Sequence, residues 1–244
     1  EEKKEGFKSG FVSIIGRPNV GKSTLLNTLL GEKVAIISNK PQTTRNRILG
    51  IKNHPAGQII FLDTPGIHQA RSKLNQAMVK VALATYNEVD VVCFLIEADR
   101  PDHEENDFIL KTLNQVRNPV ILVINKIDLV PKGDLLPIIE NYSRLRPFEQ
   151  IIPLSALRGD GVDVLVAELI QILPEGPQLF PKDMITDLPE RFLAAELIRE
   201  KVFLLTREEI PYSTAVVVEE FKEKAEKNLI VIKATIQVER ESQK

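Results

Sequence analysis

The sequence predicts an α/β protein with a central, mostly parallel sheet flanked by helices, followed by a smaller α+β unit. Three observations carry this expectation. An apolar run over 11–15 passes through a glycine-bounded loop into a helix-patterned segment over 24–30. Continuous apolar runs at 89–96 and 119–124 alternate with helix-periodic stretches, as strands covered on both faces do. After Pro174-Glu175-Gly176-Pro177 the composition turns to that of a linker, and a helix and two alternating strands follow.

Composition bounds the rest. The chain has 244 residues, enough for two domains, and its 43% hydrophobic and 27% charged content is that of an ordinary soluble protein. No apolar run approaches the roughly 18 residues of a membrane span. The charged start, Glu1-Glu2-Lys3-Lys4-Glu5, lacks the apolar core of a signal peptide, so a cytoplasmic protein is expected. A net charge of −2 announces no nucleic-acid partner. The single cysteine, Cys93, sits inside an apolar run and reads as core. His54, His68 and His103 share no metal-ligand spacing and read as surface residues.

The chain is organised around Gly16-Arg17-Pro18-Asn19-Val20-Gly21-Lys22-Ser23-Thr24. A strand delivers the chain to this loop, and a helix leaves it with its first N–H groups unpaired and facing the loop. Glycines at 16 and 21 let the backbone curl so that successive N–H groups converge on phosphate oxygens. Lys22 adds a full charge between the β- and γ-phosphates, and the Ser23 hydroxyl is suited to Mg2+. With Gly near 7% of average usage, this pattern arises by chance in roughly one chain in a hundred, and the strand–loop–helix context lowers that further.

The remaining elements follow in order. The segment 32–46 is polar and without period, which in a compact domain is often functional. Runs at 48–52 and 58–62 flank His54-Pro55-Ala56-Gly57 and read as a hairpin. The second run ends on Asp63-Thr64-Pro65-Gly66. Here the carboxylate of Asp63 can hold Mg2+, directly or through water, and the N–H of Gly66 can meet the γ-phosphate, so phosphate loss would release the following segment. A helix is expected over 73–87, a strand over 89–96, a helix over 102–116 and a buried strand over 119–124. That strand ends at Asn125-Lys126-Ile127-Asp128.

A bare NKxD tetrapeptide is a weak signal. After a buried strand and two phosphate motifs it reads as a base-recognition site. Guanine presents donors at N1 and N2 that the Asp128 carboxylate accepts, whereas adenine turns a lone pair toward it. Such a site rejects the wrong base by a factor on the order of 10⁴, because the buried carboxylate is left unpaired. Asn125 would support N7 and the loop backbone, and the Lys126 stem would lie along the base. A helix over 133–145 and a strand over 149–154 lead to Ser155-Ala156-Leu157, whose Ala156 N–H is expected at guanine O6. A helix over 161–173 closes the first unit. In the second unit, 190–205 reads as a helix with Phe192, Ala195, Ile198, Val202 and Leu205 apolar. The runs 213–218 and 229–238 read as strands either side of a charged connection, 219–228.

With GRPNVGKS, PQTTR, DTPG, NKID and SAL in order, the chain resembles the Era family within the translation-factor-related branch of P-loop GTPases. The resemblance covers essentially the whole chain. It implies a tail at 1–8, a GTPase domain at 9–174, a linker at 175–188 and a KH-like domain at 189–244 that is incomplete, since no GxxG loop occurs after residue 174. It further implies that Thr43 or Thr44 closes over Mg2+ and the γ-phosphate. The position after DTPG holds Ile67, which cannot orient a water. Relatives with this substitution use a potassium ion held partly by the phosphate-loop asparagine, making Asn19 a candidate for stabilising transition-state charge, against the plainer reading that it shapes the loop.

On this basis GTP and GDP are the expected ligands, with Mg2+ and a potassium ion as cofactors and Lys22, Asn19 and Gly66 as the catalytic set. The resemblance implies slow intrinsic turnover and a role in small ribosomal subunit assembly through 16S ribosomal RNA, with RNA-binding residues unassigned. It also implies peripheral contact with the inner face of the cell membrane. A GTP-sensing module with negligible hydrolysis is the alternative. An ATP-using enzyme conflicts with NKID.

Overall fold

The computed structural model describes residues 6–35, 48–63, 88–205, 214–224, 226 and 229–238. Strand β1 (Lys8–Gly16) leads through the glycine loop into α1 (Lys22–Leu30), and β2 (Ile48–His54) and β3 (Gly57–Asp63) form a hairpin. Then follow β4 (Val91–Glu97), α2 (Glu104–Leu113), β5 (Val120–Asn125), α3 (Leu135–Leu145), β6 (Gln150–Pro153) and α4 (Val162–Ile172). The second unit holds α5 (Glu190–Leu205), β7 (Ala215–Lys224) and β8 (Leu229–Gln237). The expected helix over 73–87 lies outside the described residues, as does most of the polar segment 32–46.

Six strands form one sheet in the order β2-β3-β1-β4-β5-β6, with every neighbouring pair parallel except the β2–β3 hairpin. The mostly parallel sheet predicted from the apolar runs is therefore present. Its two faces build two cores, as the two-residue period of a strand requires. Val12, Ile14, Ile59, Phe61, Val91, Cys93, Leu95, Ile121 and Val123 pack on the side covered by α1 and α4. Ile15, Ile60, Leu62, Val92, Phe94, Ile96, Leu122 and Ile124 pack with α2 and Tyr142 of α3. Phe61 and Phe94 are wholly buried, each contributing about 1.5–3 kcal/mol relative to exposure. Cys93 is a core thiol whose pKa burial pushes up to about 12, so it stays protonated and inert.

This topology positions the site. From β1 the chain passes to β2 and β3 on one side and to β4 on the other, and ligands of open α/β sheets bind beyond the C-terminal ends of strands at such a switch point. His103 has a more specific place than the sequence suggested: it caps α2, its Nδ1 accepting from the Glu105 N–H at 3.2 Å.

The segment expected as a linker is strapped to the first unit. Ser9 N–H donates to Pro174 O and Gly176 N–H to Phe7 O, while Ile51 N–H donates to Ile185 O at 2.7 Å and the Thr186 hydroxyl to Leu49 O. The strap thus covers the outer edge of β2, which would otherwise expose unpaired backbone. The wholly buried Gln58 holds its middle: Oε1 accepts from the N–H groups of Leu179 and Phe180, and Nε2 donates to Phe180 O and Asn53 Oδ1.

The second unit departs from one expectation, the end of its first strand, and buries charge on its helix. Along α5, Phe192, Ala195, Ile198 and Val202 are half-buried and Leu205 is 82% exposed, while Arg199 and Glu200 are buried. The cause is the neighbouring unit, since Glu200 Oε1 pairs with Lys33 Nζ at 2.8 Å and Arg199 pairs with Glu196. Strand β7 also runs on through Lys224, into the stretch read as a charged connection. Its period continues with Phe221 opposite Ile232, and a register shift between Val218 and Glu220 accommodates Glu219.

Candidate functional site

The phosphate loop has the geometry its residues demand. Gly21 ends it as the N-cap of α1 at φ 102°, and neither a capping side chain nor an acid in the first turn offsets the helix's positive end. A Cβ on Gly21 would lie 2.3 Å from Asn125 Nδ2, and one on Gly16 would lie 2.7 Å from Leu95 O. Glycine at 21 therefore clears the approach by which Asn125 Nδ2 donates to Val20 O at 2.8 Å. Val20 points into the core and anchors the loop from below. Asn19 is left-handed at φ 63°. The buried Lys22 ammonium donates to Gly16 O at 3.0 Å and Arg17 O at 2.9 Å, so the cation is fixed by the loop's own carbonyls. Ser23 and Thr24 follow in the first turn of α1.

The base-recognition loop begins at the end of β5. Lys126 turns left-handed at φ 65° and opens a short turn over Ile127–Leu129. Its ammonium donates to Asn19 O at 3.0 Å, laying the side chain across toward the phosphate loop. Burial lowers the Lys126 pKa. The Asp128 carboxylate accepts from the Ser155 hydroxyl at 2.6 Å and lies 3.9 Å from the Arg158 guanidinium.

The Ser155-Ala156-Leu157 turn gives the weakest sequence signal and the densest set of contacts. Besides Ser155 on Asp128, the Ala156 N–H donates to Asn125 Oδ1 at 2.9 Å, and Ala156 O accepts from the Thr28 hydroxyl of α1 at 2.7 Å. The N–H expected at guanine O6 thus serves Asn125 in this structure. The Asn125 amide joins the two loops, Nδ2 on one and Oδ1 on the other. Leu157 is exposed at the tip of the turn.

Three residues escaped the sequence reading. Glu97, the last residue of β4 and buried, pairs with both Arg17 of the phosphate loop and Lys126 of the base loop. Its signal was positional, a single acid at the C-terminal end of a wholly apolar strand. Thr28 carried no signal. Asn27 holds the chain leaving α1, its Oδ1 accepting from the N–H groups of Val34 and Ala35 and its Nδ2 donating to Ala35 O.

Asp63 closes β3 in register with Ile14, which brings its backbone to the same sheet edge as the phosphate loop. Thr43, Thr44 and Gly66 lie outside the described residues. Among the described residues no group of three His, Cys, Asp or Glu gathers as a metal cage. The serine hydroxyl at the start of α1 is of the donor type that Mg2+ takes, with one or two protein oxygens and a shell completed by phosphate and water.

A strand, a phosphate loop and a helix N-terminus, joined through an asparagine to a base-reading aspartate, define a P-loop GTPase. The family model described as 50S ribosome-binding GTPase matches residues 11–126. GTPase Era of Geobacter metallireducens is 60% identical over 238 residues, covering 98% of this chain and 80% of that protein, and GTPase Era of Ruminiclostridium cellulolyticum is 52% identical with the same coverage. The chain belongs to the Era family and is a GTPase.

Among solved structures, Aquifex aeolicus Era bound to GDP·AlF4− is similar with a TM-score of 0.87 at 48% identity, covering 97% of this chain and 81% of that one. Era in complex with MgGDPNP and nucleotides 1506–1542 of 16S ribosomal RNA gives the same TM-score and identity, covering 97% and 80%. Mg2+ accompanies the nucleotide in that complex.

Proposed function

We propose that this chain is a GTP-driven switch acting in small ribosomal subunit assembly through 16S ribosomal RNA. Its nucleotide would be gripped over residues 16–24 and read by Asn125, Lys126, Asp128 and the 155–157 turn. The observation that carries the reading is the Asn125 amide, bonded at once to Val20 O and the Ala156 N–H. It makes phosphate grip and base reading parts of one frame. The complex of Era with MgGDPNP and a 16S ribosomal RNA segment supports the RNA assignment.

In this reading the loop N–H groups and Lys22 hold the phosphates, and the positive end of α1 stabilises charge that develops on them. Ser23, Asp63 and Thr43 or Thr44 would hold Mg2+, which when bound would supply neutralisation of phosphate charge. Asp128, oriented by the Ser155 hydroxyl, accepts from guanine N1 and N2, and the Lys126 stem lies along the base. Gly66 meets the γ-phosphate, so hydrolysis releases the segment after it. Asn19, whose carbonyl accepts from Lys126, would help hold a potassium ion in place of a water-orienting glutamine. Residues 9–174 form the catalytic unit, with 189–244 as the RNA-facing unit.

No helix among the described residues is long and apolar enough to cross a membrane. Peripheral membrane contact rests on the resemblance alone and is testable by co-sedimentation with anionic vesicles. The experiment for the whole reading is titration with GTP, GDP and ATP, followed by turnover in potassium against sodium. Tight guanine binding with negligible ATP binding is expected, with faster turnover in potassium. ATP binding equal to GTP would overturn the nucleotide assignment, and equal rates in the two salts would remove the potassium role.

A further inference from the structure

We propose that Glu97 is a positioning residue that locks the phosphate loop and the base-recognition loop to each other, so that one rigid frame holds both ends of the guanine nucleotide. The inference rests on the nucleotide-site reading above. Glu97 ends β4 with only 4% of its surface exposed, and its two carboxylate oxygens face two cations from different loops. Oε2 pairs with Arg17 Nη2, in the phosphate loop, and Oε1 pairs with Lys126 Nζ, in the base loop. Lys126 Nζ also reaches back to Asn19 O, closing a ring through both loops.

The carboxylate sits on a rigid support. Glu97 is in register with Asn125 across the β4–β5 ladder, and the Ala98 N–H donates to Asn125 O at 2.8 Å. A buried ion pair of this kind is often no more stabilising than apolar packing, but it fixes where its partners lie, because removing one charge strands the other. Here the partners are loop residues, whose placement is what a ligand reads. Burial lowers the pKa of both Arg17 and Lys126.

The neutral Asn125 amide, at the start of the base loop, already ties it to the phosphate loop at Val20 and to the 155–157 turn at Ala156, and Glu97 adds an ionic link at Arg17 and Lys126. Without Glu97 the Asn125 and Lys126–Asn19 hydrogen bonds remain, but Arg17 and Lys126 lose the shared anion that draws them together. With Glu97 in place the ionic contacts and the neutral hydrogen bonds together hold the loops' spacing and angle, which decide whether a purine meets Asp128 while its phosphates occupy the loop.

The test uses the full chain with Glu97→Gln, which keeps the shape and loses the charge, and Glu97→Met, which loses both. Lys22→Ala runs in parallel. Release of a fluorescent GDP is followed by stopped flow, and GDP is compared with inosine diphosphate, which lacks the N2 amine, by calorimetric titration. Both Glu97 variants should release GDP faster, by about tenfold, a change of about 1.4 kcal/mol. The GDP to inosine diphosphate affinity ratio should fall several-fold, because the base loop is no longer held against the phosphate loop. A residue that merely supports the fold would weaken both nucleotides alike and leave the ratio untouched. An unchanged ratio in Glu97→Gln, whatever the release rate, overturns the proposal while leaving the nucleotide site intact. Full GDP affinity in Lys22→Ala would instead remove the nucleotide-site reading, and this inference with it. Should Glu97→Met fail to fold, the isosteric Glu97→Gln decides the question.

Discussion

The two sheets of this chain treat their side chains in opposite ways. Every residue of β4 and β5 is buried, whereas β7 buries only Val218 and β8 buries none. A strand covered on both faces has no room for chemistry along its length, so polar function collects where the apolar run stops. Gly16, Asp63, Glu97 and Asn125 are each the last residue of a strand, and Ser155 lies two residues past β6. In the small sheet, charge is spread along the strands, with Glu219 facing Thr235 and Lys233 across the ladder. Apolar Leu229, Ile230, Ile232 and Ile236 lie about half exposed beside it. The first sheet separates stability from function by position along the strand, and the second mixes polar and apolar residues on open faces.

That contrast can be broken or sharpened by mutation. The largest effect is expected at Lys22. Lys22→Ala should weaken GTP and GDP binding on the order of a thousandfold, about 4 kcal/mol, by calorimetric titration, because no other buried cation among the described residues touches the loop carbonyls at 16 and 17. Unchanged affinity would place the chemistry elsewhere. Next comes Asp128→Asn, which should move preference from guanine to xanthine nucleotides on the order of a hundredfold, since the amide can donate where the carboxylate accepted. Competition between GDP and xanthosine diphosphate reads this directly.

A smaller effect is expected where the two units meet. Lys33→Ala leaves the buried Glu200 carboxylate without its cation and should cost about 1–3 kcal/mol, read as earlier denaturant unfolding or faster proteolysis between residues 174 and 190. No change would show that the strap alone joins the units.

The smallest is Tyr142→Phe. Its hydroxyl donates to Pro101 O at 2.6 Å, so losing it should cost about 1 kcal/mol. Burial pushes the phenol up to about 12 from 10.0. A group with its folded pKa raised contributes fully below its unfolded value, and the contribution fades as pH rises through the folded one. Wild-type stability should therefore fall between pH 10 and 12 by an amount that Tyr142→Phe removes from the alkaline limb.

Legibility in the sequence followed the same division. The doubly covered strands and the two nucleotide motifs could be read because each is local: an apolar run, a glycine pair, a tetrapeptide at a strand end. What could not be read depends on residues far apart in the chain. Thr28 meets Ala156 across 128 positions, and Ser155 finds Asp128 across 27. Glu97 looks like an ordinary strand end until Arg17 and Lys126 are brought to it. The features of the second unit that could not be read have the same origin. The buried charges of α5 answer to Lys33 in the other unit, and β7 outruns its apolar stretch because β8 pairs with it through Lys224. Local patterning sets elements and motifs, and tertiary contact decides which polar residues are buried.

The central claim is that one bound molecule is held by its phosphates over residues 16–24 and by its purine at Asp128. A crystal structure of the full chain with Mg2+ and a non-hydrolysable GTP analogue tests it most directly. The account predicts guanine N1 and N2 within hydrogen-bonding distance of the Asp128 carboxylate, with the β- and γ-phosphates against Lys22. A purine seated away from Asp128 while the phosphates occupy the loop would contradict it.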